Sequence, residues 1–281
     1  MSGLDIAVIA LLALAVAAHL AAFVLFFTSG RRAGLTAFSA GWAVLAVLFA
    51  LNWLAAGEPP FGNMYHVLAA VGLCFLPACL LLGWKDGLRW PAPAFALAAA
   101  TPLVGALFVN REIAWQRMPA LQSAWFVPHV ATYTFSYCLA GAAFAVLLAG
   151  AAKEVWRDAR ARPARSEGGP KSGGGAESEF ARFADAAYLI ARFSFPFMTF
   201  GLCSGALWAE EAWGAYWSWD SKETWSLATW TLYAIALHCH IRPALRPYAP
   251  WAQGLGFAAL LVTFLGVNYL SSLGSMLHSY T

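Results

Sequence analysis

Eight stretches of this chain are nearly free of charge and rich in leucine, alanine, valine and phenylalanine. They run over about 4–27, 36–56, 63–83, 91–110, 125–150, 187–208, 225–241 and 251–270. Each is close to the roughly 20 residues that a helix needs to cross a hydrocarbon core of about 30 Å. No water is available there to satisfy backbone polar groups, so segments of this kind must be helical. The pattern therefore predicts an all-α, polytopic bundle of about eight transmembrane helices, a single membrane domain over 1–281. Pro77, Pro102 and Pro196 fall inside apolar runs, where they are expected to kink their helices.

The polar positions between the runs set an orientation. One set of loops holds Arg31, Arg32, Lys85, Arg89, Lys153, Arg157, Arg160, Arg162, Arg165, Lys171, Arg182, Arg192, Arg242 and Arg246, fourteen of the seventeen basic residues. The other holds only Arg111, Arg117 and Lys222. The positive-inside rule puts the first set in the cytoplasm and both termini outside. The leading run carries Asp5 and has its basic pair, Arg31 and Arg32, after it. That is the reverse of a cleaved signal, so a retained span is expected. The loop 153–186 contains RPARSEGGPKSGGGAESE, too polar and glycine-rich to bury a core, and reads as a disordered cytoplasmic linker.

Composition agrees with a membrane chain. Hydrophobic residues make up 61% and charged residues 11%, against about 25% charged in a soluble domain. Mean hydropathy is +0.63. The net charge of +3 reflects basic loops facing membrane lipid, and implies no nucleic-acid partner. Cys74, Cys79, Cys138, Cys203 and Cys239 all lie in apolar runs without a C-x-x-C pair, so neither a disulfide framework nor a dithiol centre is expected. Thiol chemistry, if any, would involve another molecule's thiols.

One connecting segment breaks the pattern. Residues 209–224, on the expected outer face, include WGAYWSWDSKET. Interfacial anchoring accounts for Trp53, Trp84, Trp90, Trp115, Trp156 and Trp251. It does not account for Trp208, Trp213, Trp217, Trp219, Trp225 and Trp230, six of fourteen tryptophans within 23 residues. Clustered aromatic faces suit a large flat ligand. Asp220 and Glu223 also form an Asp-x-x-Glu capping pattern ahead of the seventh run. Lys222 could snorkel or pair with an acidic ligand group.

Ionisable groups inside spans are costly and mark candidate sites. His129 sits about one turn into the fifth run, and His278 just beyond the eighth, both at the level of the tryptophan segment. Two imidazoles beside an aromatic shelf suggest bis-histidine ligation of a haem iron. His238 lies roughly 20 Å deeper in the seventh run, at a depth like that of His19 in the first. They could form a second ligand pair, or His238 could take a ligand from a partner subunit. His240, two residues on, lies on another helix face near the cytoplasmic boundary, and His66 begins the third run, where it could simply hydrogen-bond at the interface.

The run FPFMTFGLCSGALWAEEAWGAYWSWDSKETWSLATWTLYAIALH resembles the signature of the CcsA/ResC branch of the cytochrome c assembly proteins. That branch carries WGxYWxWDxKExW, followed by TW and LH in the next helix. Ser221 stands where a proline is common, and NMYH, with His66, where relatives often have NMYE. The resemblance implies that Trp213, Gly214, Tyr216, Trp217, Trp219 and Asp220 present haem b. It implies that His129 and His278 ligate haem iron outside, and that His238 belongs to a transmembrane haem site. The fellow ligand of His238 would come from a ResB/CcsB-type membrane partner. His129, His278 and Asp220 would form the catalytic set. The expected activity is that of a holocytochrome c synthase in a bacterial cytoplasmic (inner) membrane. It would export haem and join it by thioethers to the C-x-x-C-H cysteines of apocytochrome c on the outer face. A thioredoxin-like thiol reductant would keep those cysteines reduced. Two alternatives are a di-haem, quinol-oxidising electron-transfer protein and a haem transporter without synthase activity.

Overall fold

The computed structural model describes residues 3–110, 122–165 and 179–267. Among the described residues the chain forms eight α-helices and no strand. They are α1 (Gly3–Thr28), α2 (Gly30–Ala56), α3 (Met64–Lys85), α4 (Ala92–Phe108), α5 (Phe126–Arg165), α6 (Glu179–Trp213), α7 (Ser221–Ile241) and α8 (Ala249–Leu261). A single 3-10 turn, Arg246–Tyr248, leads into α8, and a π-helical turn, Val262–Gly266, continues it. Over the described residues, each apolar run of the sequence falls on one of these helices, the eighth on α8 and the turn that continues it.

Among the described residues six helices are long and apolar enough to cross a membrane: α1, α2, α3, α5, α6, and α8 with its flanking turns. The other two differ for separate reasons. α4 is apolar but only 17 residues long, roughly 25 Å of a core about 30 Å thick. α7 has 21 residues, yet it spends Lys222, Glu223, His238 and His240 within that length. The surface confirms the solvent for which the bundle is built. Phe27, Leu54 and Phe108 are at least 70% exposed, which suits contact with lipid tails rather than water.

Sequence-adjacent helices pair as antiparallel hairpins: α1 with α2, α3 with α4, α5 with α6, and α7 with α8. The hairpins then pack through α1 on α4, α3 on α5, and α6 on α7. The largest buried cluster lies among α3, α4, α5 and α6, with Phe75, Leu82, Phe95, Leu139 and Ile190. A second joins α1 to α4 through Leu12, Leu45, Leu48, Tyr65 and Leu103. Buried polar side chains pin individual helix pairs. Ser194 Oγ donates to the Ser136 carbonyl at 3.0 Å, Trp42 Nε1 to the Leu73 carbonyl at 2.8 Å, and Trp230 Nε1 to Thr199 Oγ1 at 2.9 Å. Pro77, Pro102 and Pro196 all lie within helices.

The segment 153–186, expected as a linker, is helical over 153–165 and 179–186. α5 and α6 run on past their apolar stretches because the flanking residues satisfy one another. Lys153 pairs with Glu179 at 2.6 Å across the two helices, and the Arg160 guanidinium sits 3.6 Å over the Trp156 ring. The glycine-rich middle of that segment falls in 166–178, outside the described residues. Of the five cysteines, Cys79 and Cys138 are buried, Cys74 and Cys239 half-buried, and Cys203 exposed.

Candidate haem site at the tryptophan end

Three helix termini meet at one end of the bundle: the start of α5, the end of α6 and the start of α7. His129 stands in the first turn of α5. Its Nδ1 lies 2.9 Å from the Gly201 carbonyl of α6. A carbonyl only accepts, so Nδ1 carries a proton, and in the neutral ring Nε2 keeps its lone pair. Nε2 makes no hydrogen bond among the described residues. A backbone oxygen holding the far nitrogen is the arrangement that orients an imidazole toward a metal.

The close approach depends on two glycines. A methyl group at Gly205 would lie 2.7 Å from His129 Cε1, and one at Gly201 would lie 2.9 Å from the Tyr133 ring. Only glycine lets both rings settle against α6. His129 meets Tyr133 edge-on, with centroids 5.1 Å apart, and lies at 30° to the Trp208 ring at 5.6 Å. Trp208 is buried and passes the contact to Trp213, 4.9 Å away. Phe126, Trp125, Val130 and Phe61 close around this pair. Ser123 Oγ donates to a Glu211 carboxylate oxygen, tying the entry of α5 to the end of α6.

Beyond Trp213 the chain turns. Gly214 takes φ +74°, and its N–H donates to the Glu210 carbonyl at 2.8 Å, ending α6 in the left-handed cap that favours glycine. Tyr216 is 58% exposed and Trp219 is 70% exposed. Trp217 turns inward, and its indole N–H is buried with no acceptor among the described residues. Trp217 and Trp219 meet edge-on at 5.8 Å. Trp219 holds φ 59°, the left-handed region that costs a non-glycine residue about 1–2 kcal/mol.

The strain at Trp219 is held by the helix that follows. Asp220 is the N-cap of α7 in a reciprocal capping box. Asp220 Oδ1 accepts from the Lys222 N–H at 2.9 Å, and Glu223 Oε2 accepts from the Ser218 N–H at 2.8 Å and the Asp220 N–H at 3.3 Å. Thr224 Oγ1 donates to the Trp219 carbonyl at 3.2 Å. The DSKET stretch is therefore a clamp on the loop's end. Partial burial pushes the Lys222 ammonium down to about 8, and Asp220 acts in the opposite direction.

The remaining histidines lie elsewhere. His238 is exposed on α7, with Nδ1–H donating to the Ala234 carbonyl at 2.8 Å, and so presents Nε2 to the outside of the bundle. His19 is buried on α1, its Nδ1–H bound to the Ala15 carbonyl at 2.6 Å. α1 packs on α2 and α4 while α7 packs on α6 and α8, so the structure does not bring His19 and His238 together. His240 stacks on Tyr188 at 3.7 Å and faces Asp185. His66 is buried, with neither ring nitrogen hydrogen-bonded among the described residues. His278 lies outside the described residues. Gly201 and Gly205 were not singled out from sequence, although their G-x-x-x-G spacing marks a close helix contact.

A family model described as "Cytochrome C assembly protein" matches residues 6–274. The chain belongs to that family. Among its relatives is "Cytochrome c biogenesis protein CcsA" of Guillardia theta, 31% identical over 250 residues, covering 84% of this chain and 81% of that protein. The protein of the same description from Synechococcus sp. (strain WH7803) is 33% identical over 269 residues, covering 84% and 81%. That from Synechococcus sp. (strain CC9605) is 33% identical over 286 residues, covering 90% and 88%. Membership places this multi-pass membrane protein in cytochrome c maturation.

Proposed function

We propose that the tryptophan end holds haem b as substrate and presents it to apocytochrome c, with a ResB/CcsB-type partner completing the synthase. The observation that carries this reading is the His129 ring. It is pinned at Nδ1 by Gly201, cradled at Gly205, and offers Nε2 beside the Trp208–Trp213 wall that leads into 209–224. The donor set fits an iron porphyrin: a neutral imidazole, flat aromatic faces, and a buried indole N–H at Trp217 without an acceptor among the described residues. His278 is the proposed second axial ligand, and Trp213, Gly214, Tyr216, Trp217 and Trp219 the proposed shelf. His238 is proposed for the transmembrane haem site, and its outward-facing Nε2 supports a ligand drawn from the partner. We place the tryptophan end on the extracytoplasmic side of a bacterial cytoplasmic membrane.

The bond to be made needs little from the protein in the way of proton transfer. A substrate cysteine S–H adds across a haem vinyl. Sulfur bonds one vinyl carbon, hydrogen goes to the other, and no net oxidation occurs. The thiol must be reduced beforehand, which implies a thioredoxin-like reductant. The chain's contribution is to position the ring edge, with effective molarity as the source of rate. Asp220 acts through the cap, so we assign it positioning rather than proton transfer.

The test is the absorption spectrum of dithionite-reduced protein beside His129→Ala, with holocytochrome c yield scored in the same cells. A low-spin b-type spectrum lost in the variant, with covalent haem on a co-expressed apocytochrome only in wild type, is expected. Equal haem content and equal holocytochrome yield in both would refute the reading. Haem binding without covalent product would favour electron transfer or transport.

A further inference from the structure

The opposite end of the bundle holds a separate feature. A cavity of about 190 Å³ opens where the α1–α2 turn meets the end of α3 and the start of α4. Arg31, Leu35, Cys79, Leu80, Trp84 and Arg89 line it. Two guanidiniums face this space and no carboxylate does. Among the described residues the arginine ion pairs are those of Arg157 and Arg246, so neither Arg31 nor Arg89 is neutralised. Arg89 Nε donates to the Gly83 carbonyl at 3.3 Å, which fixes the head group and leaves its terminal nitrogens unused. The neighbouring Lys85 leans away, its ammonium 5.2 Å over the Phe193 ring. Asp86 caps the end of α3 and does not line the cavity.

The rim is apolar and outward-facing. Leu80 is 51% exposed and Trp84 is 80% exposed. A polar ligand alone would gain nothing from that rim, and an apolar one would leave two cations unpaired. The two requirements meet in one molecule with an anionic head and hydrocarbon tails. Guanidinium forks match phosphate oxygens, and basic pockets between membrane helices favour anionic head groups. The volume equals about six water molecules at roughly 30 Å³ each, enough for a phosphate and part of a glycerol.

We propose that this cavity binds the phosphate of an anionic phospholipid. Arg31 and Arg89 take the phosphate oxygens, and the acyl chains lie along Leu80 and Trp84. The site is independent of the haem reading and would survive its failure.

Native mass spectrometry of the full-length protein, with phosphatidylglycerol or phosphatidylcholine of matched chains added, tests it. One phosphatidylglycerol should be retained at least about tenfold more strongly than phosphatidylcholine, as expected for two cationic contacts. That preference should disappear in Arg31→Gln and in the Arg31→Gln/Arg89→Gln double variant. It should persist in Arg32→Gln, whose side chain does not line the cavity, and in Arg89→Lys it should weaken without vanishing. Equal retention of the two lipids by wild type, or an unchanged preference in the double variant, would overturn the site. Displacement by millimolar inorganic phosphate would reassign it to a free anion. Displacement by haem but not by haem dimethyl ester would reassign it to a carboxylated tetrapyrrole.

Discussion

His129 owes its position to what α6 lacks. Gly201 and Gly205 leave the groove into which the imidazole and the Tyr133 ring fit, and the Gly201 carbonyl sets the tautomer. A hydrogen bond of this kind between membrane helices is worth only about 0.6 kcal/mol, so its value lies in orientation rather than stability. Gly205→Ala forces the ring out of its seat at a packing cost of about 1–3 kcal/mol. The expected result is normal protein level with severalfold less haem per protein by reduced absorbance. Unchanged absorbance would show that the ring has another seat. Lys222 makes a pH argument at the same scale. Its ammonium is held down to about 8, so positive charge is present below that pH and is lost as pH rises through it. If it pairs with a haem propionate, haem retention on a desalting column should fall between pH 7 and 9 in wild type. Lys222→Arg, charged throughout this range, should hold its haem at both ends, and a parallel fall in the two proteins would exclude the pairing.

At the scale of an element, α7 explains why acid follows tryptophan. The capping box fixes both the helix start and the strained Trp219 before it, so the exposed rings inherit the order of the helix. Asp220→Asn keeps a good N-cap and removes the charge, whereas Asp220→Ala removes the cap at a cost of about 1 kcal/mol. A positioning role predicts near wild-type holocytochrome yield for the asparagine variant and a clear loss for alanine. Failure of both variants alike would return Asp220 to a direct role in the chemistry. The cap was legible in the sequence because Asp-x-x-Glu is a local pattern. So were the helical runs, since run length and apolarity are local too, although only six of the helices among the described residues are long and apolar enough to cross a membrane. The ends of α5 and α6 were not, because the glycine-rich middle of 153–186 obscured charged residues that pair across the helices, as Lys153 does with Glu179. The seat of His129 was half legible. G-x-x-x-G announces a close contact but not which helix makes it, and no pattern signals the burial of His66.

Across the whole molecule, four hairpins place the histidines in different surroundings. His129 faces inward between α5 and α6, while His238 faces outward from α7 with its Nε2 uncommitted. Its exposure among the described residues suits the proposed iron shared with a second protein. His238→Ala should therefore leave the spectrum of the isolated chain unchanged. In the complex with a ResB/CcsB-type partner it should remove one haem component. A full haem complement in that mutant complex would place the second site elsewhere.

The hairpin order also has a consequence for synthesis. His129, its glycine seat and the capped loop reside on three successive helices, and the loop emerges about 90 residues after His129. At ribosomal rates of roughly 5–20 residues per second, that interval lasts about 5–20 s. Through it the growing chain carries its imidazole into the membrane with no tryptophan segment beside it. On the proposed reading the site is assembled last of all, because the second ligand, His278, is translated after the seventh and eighth helices.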